Sequence, residues 1–373
     1  MKKKAVMTAG IFAFALVVLV GCGGTSGTTN QTTVSHTPAP IFSSPVSLNG
    51  VNFFGVQNGW ATSSNGGVFV TASGGREWKH VSPKLTPNNM ATFYDFLNQN
   101  TAWLLDESKD GTITVCKTFD RGRYWTQMGT LHLAYPGGGV QVDFVDALHG
   151  LIENTLPGMM SLPAVLYSTN NGGSTWKQIN STDDSGNHSN KMPFGGEILF
   201  HTALDGWLYG SPRGFDMGGL YHTNNGGLQW HHIDIPVSKK DHHAVMLFPS
   251  TIVEFNPQVL IVPVFFQRNG VQVDQKLYSS TNDGLTWTVH NLPADSSANI
   301  SFLNGAQGWV ISMNGALYQT DNSGHTWKLL QPNLNLNATY PFQFATAVDG
   351  WVVVNGKLYY TRDSGEWWEK IYG

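Results

Sequence analysis

Five acids stand where a reacting carboxylate could work: Glu153, Glu197, Asp216, Glu254 and Asp274. Cleavage of a glycosidic bond needs two carboxylates about 5 to 9.5 Å apart, one as acid and one as base or nucleophile. The sequence does not say whether any two converge. A second chemistry, the clamping of a substrate carboxylate, needs arginine, because its planar fork pairs with both oxygens and lysine does not. Of the six arginines, Arg76, Arg121, Arg123 and Arg362 fall inside short repeated turns, which leaves Arg213 and Arg268. Metal ligation has one crowded stretch, His231, His232, Asp234, Asp241, His242 and His243. Adjacent strand residues point to opposite faces, and no His-x-x-x-His pair offers a helical site. The stretch therefore reads as a solvated outer strand and loop, and neither metal nor cofactor is expected.

The elements that must position these groups are set by repetition. A turn of the form Ser/Thr-x-Asx/Ser-x-Gly-x-x-Trp occurs seven times, ending at Trp78, Trp125, Trp176, Trp230, Trp287, Trp327 and Trp368. The tryptophans are 47, 51, 54, 57, 40 and 41 residues apart, and a period of that size marks a propeller or an array. One unit reads clearly. Phe302 lies seven residues before Trp309, a β-rich run leads to Asn314-Gly315, and a second run leads to the turn Thr320–Trp327. Asn-Gly between two such runs is a strong hairpin signal, because both residues tolerate positive φ. Four short antiparallel strands per unit define a propeller blade. The seven-residue step recurs at Phe53/Trp60, Phe96/Trp103, Phe144/Leu151, Phe200/Trp207 and Phe344/Trp351, with Phe248/Phe255 as a degenerate fifth copy. The expected fold is all-β, a single seven-bladed propeller of four-stranded antiparallel blades over residues 46–373.

Within each turn the hydroxyl and the Asx side chain can accept from backbone amides, and the glycine can take a positive φ. The tryptophan packs a large apolar face between sheets. Only Asp120 and Asp363 keep an acid at the third position; Asn171, Asn225, Asn282, Asn322 and Ser73 replace it elsewhere. Because neutral acceptors do the same job, the seven tryptophans and both aspartates are read as structural, and no catalytic residue is assigned.

Residues 1–21 read as a secretory signal: Lys2, Lys3 and Lys4 precede an apolar run, Ala5 to Val20, too short to span a bilayer. Residues 23 to 45 hold no Asp, Glu, Lys or Arg and are rich in Gly, Thr, Ser and Pro, as a flexible tether would be. Charged residues are 12 % of the chain against about 25 % in ordinary domains, with no basic patch for nucleic acid. Besides Cys22, Cys116 is the only cysteine and is read as a small packed residue.

The stretch Leu19-Val20-Gly21-Cys22 resembles the lipobox of bacterial lipoproteins. That resemblance implies acylation of Cys22, cleavage before it, and a body held outside the cytoplasm on the cell membrane by lipid alone. The repeated turn resembles the Asp-box, or BNR repeat, of sialidases, sortilin-type receptors and related propellers. A sialidase would further need three clamping arginines and an Arg-Ile-Pro stretch, whereas only Arg213 and Arg268 stand clear of the turns and no Arg-Ile-Pro occurs. Phe53 to Trp78 and Phe302 to Trp327 also resemble the lipoprotein-type propellers related to the photosystem II assembly and stability factor, over most of residues 50 to 373. That likeness implies a non-enzymatic assembly factor. The dispersed arginines depart from the basic face of that family.

In propellers, the connections entering each blade and those joining its second and third strands share one face, and the repeated turns occupy the other. On the first face, units three to five are swollen: 153–164, 181–196, 210–219, 237–244 and 263–276. Long loops on a rigid scaffold are where binding concentrates. These carry Arg213, Phe215, Asp216, Met217 and Arg268 with Met159, Met160, Lys239, Lys240, Phe265 and Phe266. Aromatic, Met and Arg side chains suit a contact with protein or glycan. The expected function is a lipid-anchored, non-catalytic binding or assembly factor; the alternative is a glycan-binding or glycan-cleaving enzyme.

Overall fold

The computed structural model describes residues 33–35, 46–85, 89–156, 163–182, 192–210, 219–248, 252–256, 258–293 and 296–373. The chain forms seven antiparallel sheets, arranged as the blades of a β-propeller, and the four core strands of each come from one contiguous stretch. Blade 1 is Leu48–Phe54, Asn58–Ser63, Val68–Thr71 and Lys79–His80; blade 7 is Phe342–Phe344, Gly350–Val354, Lys357–Thr361 and Glu369–Tyr372. Second strands are covered on both faces by neighbouring blades, so Gly308–Ser312 and Gly350–Val354 are buried throughout and read as unbroken apolar runs. Outer strands are short and wet, as at His231–His232. Thr33–Ser35, inside the segment expected to be tether, pairs with Tyr124–His132 as a fifth, outermost strand of blade 2.

The repeated turn is built the same way seven times. The amide of its fifth residue donates to the Ser/Thr hydroxyl at 2.9 to 3.0 Å, from Gly75 to Gly365. The third-position side chain accepts the amide four residues on: Asp120 from Tyr124 at 3.0 Å, Asn322 from Thr326 at 2.9 Å, and Ser73 from Glu77 at 2.9 Å. Acid, amide and hydroxyl are therefore interchangeable there. The fourth residue is also left-handed, with Asp283 at φ 59° and Ser323 at φ 62°. Its amide donates to the loop between the blade's first two strands, as from Gly172 to Leu148 O at 2.8 Å. Turns and first loops consequently share one face of the ring.

Glycine at the fifth position answers to packing as well as to φ. A Cβ on Gly173 would lie 2.7 Å from Val115 of blade 2, on Gly324 2.5 Å from Leu277 of blade 5, and on Gly75 2.6 Å from Leu358 of blade 7. Each turn is wedged against the third strand of the preceding blade at most seams. Beside it a stack repeats: Trp103 lies on Phe144, Trp309 on Phe344 and Trp351 on Phe53, all at 3.8 Å between ring centroids. The turn tryptophan meets the same Phe edge-on, as Trp176 does Phe144 at 5.9 Å. The stacking indole donates to the fourth turn residue of the next blade: Trp103 to Gly172 O at 3.0 Å, Trp309 to Ser364 O at 3.0 Å, Trp351 to Gly74 O at 2.9 Å.

Ring closure uses the same parts, and among the described residues no strand is exchanged between first and last blades. The Gln343 amide brackets Phe53, accepting from its N–H at 2.8 Å and donating to its carbonyl at 2.9 Å. Trp351, Val353 and Leu358 of blade 7 share a core with Val51, Phe53 and Trp78 of blade 1.

Two glycine substitutions separate strain from seam packing. Gly270→Ala meets only its φ of +76°, since nothing lies within 4 Å, and should cost about 1 kcal/mol in a denaturant titration. Gly324→Ala, at φ +85°, adds the collision with Leu277 and should cost about 2 to 4 kcal/mol. Equal losses would show that the seam does not constrain this position.

Candidate functional site

The face opposite the turns carries the expected binding loops, and blade 5 departs from the sequence reading there. Residues 263–276, expected as a swollen loop, lie instead in two ten-residue strands, Val259–Arg268 and Val271–Ser280, joined at Asn269-Gly270. Both turn residues are left-handed, at φ 53° and 76°, which is the two-residue hairpin geometry that Asn-Gly favours. Phe266 is accordingly core, and Phe265 packs partly buried against its neighbours. The inner strand of blade 5 is split into Val245–Leu247 and Val253–Asn256. Pro263, which has no amide to donate, lies opposite the interruption.

The Phe248/Phe255 step is also corrected. Leu260 pairs with Ser280 and Glu254, as Gly308 pairs with Thr320 and Phe302 in blade 6. Glu254 thus holds the place of the recurring Phe, and Ile261 that of the Trp.

The blade 5 hairpin is braced. Asp274 takes Lys240 at 2.7 Å and Lys276 at 2.9 Å, and Arg268 Nη2 donates to Lys240 O at 2.8 Å. Despite its burial, the two ammonium groups and the Gln275 amide hold the Asp274 carboxyl down at about 2. Val271 and Val273 at the tip are exposed, 65 % and 45 %. Arg268 is thus on an ordered projection, while Arg213, Phe215, Asp216 and Met217 lie outside the described residues, as do Met159, Met160 and Cys22.

Of the five candidate acids, Glu153 and Glu197 come together. Glu153 lies on the second strand of blade 3, opposite Gln141, and Glu197 begins the inner strand of blade 4. Gln141 bridges the seam, donating to Glu197 and accepting from the Ile198 amide at 2.9 Å. Glu153 accepts from the Gly196 amide at 2.9 Å and is buried. Burial pushes the Glu153 carboxyl up to about 8, with the charge of Glu197 adding to the effect and the Gly196 hydrogen bond opposing it. A near-neutral carboxylic acid is what general acid catalysis uses, but this one faces a backbone amide. Glu254 is buried, 3.8 Å from His201.

Inner-strand acids that the sequence reading did not single out do similar work. Asp95 accepts from the Phe144 amide and Asp143 from the Phe200 amide, each at 2.6 Å. Gln343 and Ser301 hold the equivalent place at other seams. The clue in the sequence is one polar residue directly before the recurring Phe.

Two of the turn arginines, Arg121 and Arg76, reach across a seam, whereas Arg362 pairs within its own blade. Arg121 Nη2 donates to Thr71 O at 2.6 Å, and Glu369 lies 3.8 Å from Arg76 and 3.9 Å from Arg362. The crowded histidines do not gather: His231 and His232 are exposed on an outer strand, and His242 and His243 are exposed in a turn. Cys116 is half-buried, and desolvation raises its thiol to about 12.

No family profile matches the chain, and no curated protein matches it. Its similarity is to solved propellers. YCF48 bound to D1 peptide superposes with a TM-score of 0.53 at 15 % identity, covering 90 % of this chain and 99 % of that one. YCF48 from Cyanidioschyzon merolae gives 0.50 at 15 % identity, over 88 % and 98 %. An ancestral GH74 enzyme gives 0.56 at 15 % identity, covering 91 % of this chain and 48 % of that one. Identity this low shows the fold, a seven-bladed propeller found in both binding proteins and glycoside hydrolases.

The Glu153 carboxyl makes stability depend on pH. With its folded value of about 8 above the ordinary 4.5, its contribution is complete below pH 4.5 and is lost as pH rises toward 8. The melting temperature should fall across that window and level off above it, and Glu153→Gln should flatten the fall. An unchanged slope in the variant would show that Glu153 does not titrate this way.

Proposed function

We propose that this chain is an exported, lipid-anchored propeller that binds a protein partner without catalysis, through the face carrying the blade 5 hairpin. The observation that carries this reading is the braced projection itself. Its strands outrun those of the other blades, its base is pinned by Lys240, Asp274 and Lys276, and its tip offers Val271, Val273 and Arg268 to solvent. Preorganised apolar and arginine side chains keep the entropic cost of association low. The seam acids support the same reading, because Asp95 and Asp143 on inner strands and Glu153 on a second strand are committed to backbone amides. YCF48, of like fold, is a peptide binder in its D1 complex.

A second reading, glycan cleavage, has one observation in its favour: Glu153 and Glu197 approach each other on the same face, and one has a raised carboxyl value. The two readings differ in what they lose. Crosslinking the anchored protein in its own cells should recover partners that disappear with Val271→Asp/Val273→Asp. Recovery of the same set would remove the hairpin from the binding face. Release of reducing sugar from a β-glucan oligosaccharide, abolished by Glu197→Gln, would replace the binding reading with the enzymatic one.

Lipidation of Cys22 is part of the proposal and rests on the Leu19–Cys22 stretch. Metabolic labelling with an alkyne fatty acid should mark the wild type, and Cys22→Ser should be unlabelled and no longer sediment with membranes. Labelling that survives in the variant would end that part of the reading.

A further inference from the structure

The seam between blades 4 and 5 is the one place where Trp207, correctly set on its second strand, finds no Phe in the next blade, because Glu254 stands there. Its indole N–H, the group that in Trp103, Trp309 and Trp351 donates to the fourth turn residue, is buried here without a hydrogen-bond partner. Trp207 rests instead on the His222 ring, 4.6 Å away. The fourth turn residue of blade 5 is Asp283, and its carboxylate turns into the seam toward His222. Asp205, from the first loop of blade 4, completes the group.

His222 Nε2 lies 3.4 Å from Asp205 Oδ2 and 3.8 Å from Asp283 Oδ2, and one donor atom from each residue lies within 4.8 Å of the other two. Those separations exceed the roughly 2.7 to 3.2 Å of an N–H···O hydrogen bond. They approach the edge of a tetrahedron, about 3.4 Å, drawn around an ion with ligands about 2.1 Å away. His222 Nε2, Asp205 Oδ1 and Asp283 Oδ1 are all buried with no hydrogen-bond partner. Orphaned buried polar atoms of this kind are costly to leave unpaired. Three residues from separate segments, each holding an unpartnered buried polar atom, bring His222 Nε2 and the two Oδ2 atoms toward one point, an arrangement that a cation resolves.

We propose that Asp205, His222 and Asp283 bind a zinc-class divalent ion that clips blade 4 to blade 5, replacing the aromatic stack missing from that seam. One imidazole and two carboxylates suit zinc, with water as fourth ligand. The first loop is organised for the task, since the Asp205 amide donates to Thr202 Oγ1 at 3.0 Å and its carbonyl accepts from His201 at 3.0 Å. The site lies on the turn face, away from the proposed binding hairpin, so it is structural and independent of the partner reading.

The full chain, stripped with chelator and titrated with zinc chloride, should take up one equivalent by atomic emission and melt several degrees higher. Cobalt should give a d–d absorption band at the same stoichiometry. His222→Gln should weaken binding by about 100-fold or more and lose the band, since even outer partners of metal ligands change affinity by about 10- to 100-fold. If that variant does not fold, Asp205→Asn makes the same comparison. His231→Gln/His232→Gln should bind as the wild type does. No zinc-dependent shift in the wild type, a shift retained in His222→Gln, or one lost in the His231/His232 variant would overturn the site. So would a seam stabilised by low pH alone, which would make His222 a protonated partner of the two acids.

Discussion

The structure depends on how closely one blade can approach the next. At each seam a turn glycine faces the preceding blade, and at all but the blade 4–5 seam a single added carbon would come within 3.0 Å of one of its side chains. That missing Cβ sets the spacing at which Trp103, Trp309 and Trp351 can stack on the Phe of the following blade at van der Waals distance. The same spacing brings indole N–H groups onto turn carbonyls and inner-strand side chains onto the neighbour's amides. With only Cys22 and Cys116 the chain has no pair of body cysteines to link. Its cohesion comes from repeated seams of one kind, varied at blade 5, and closure uses the copy at Gln343 and Phe53.

This arrangement also sorts the polar residues. Inner-strand acids are drawn into seam hydrogen bonds, and Arg76 and Arg121 reach the neighbouring blade. Both are used for holding blades in register, so the residue types that suggest a carboxylate clamp or an acid pair are largely structural here. Variation is left to the opposite face, where blade 5 lengthens its hairpin and anchors it with an Asp274 charge cluster. Blade 5 departs from the repeat at its inner strand as well, and the two departures are connected. A strand interrupted opposite Pro263 and carrying Glu254 in place of Phe cannot form the usual aromatic seam with blade 4. That seam is where Asp205, His222 and Asp283 meet.

The legibility of the sequence follows the range of the interaction. The turn is closed by hydrogen bonds between residues two to four apart, so Thr118, Asp120 and Gly122 announce it directly. The seven-residue step from Phe is equally local, ending on Trp in five units and on Leu151 in a sixth. Blade 5 misled because Phe248 and Phe255 keep the spacing, whereas pairing with Ser280 sets the register at Glu254. The adjacent histidines 231, 232, 242 and 243 drew notice by proximity in sequence, yet they stay exposed and apart. His222 and Asp283 are brought together by ring packing, and no local pattern marks them.

By itself the sequence determined the blade count, the turn chemistry and the four-stranded unit, because these are fixed by short-range hydrogen bonding and strand periodicity. Only the tertiary structure decided why the fifth turn residue must lack a side chain, how Gln343 closes the ring, that Glu153 and Glu197 share a seam, and that residues 263–276 form a rigid hairpin. Each of those depends on what the neighbouring blade, or the paired strand, presents at contact distance.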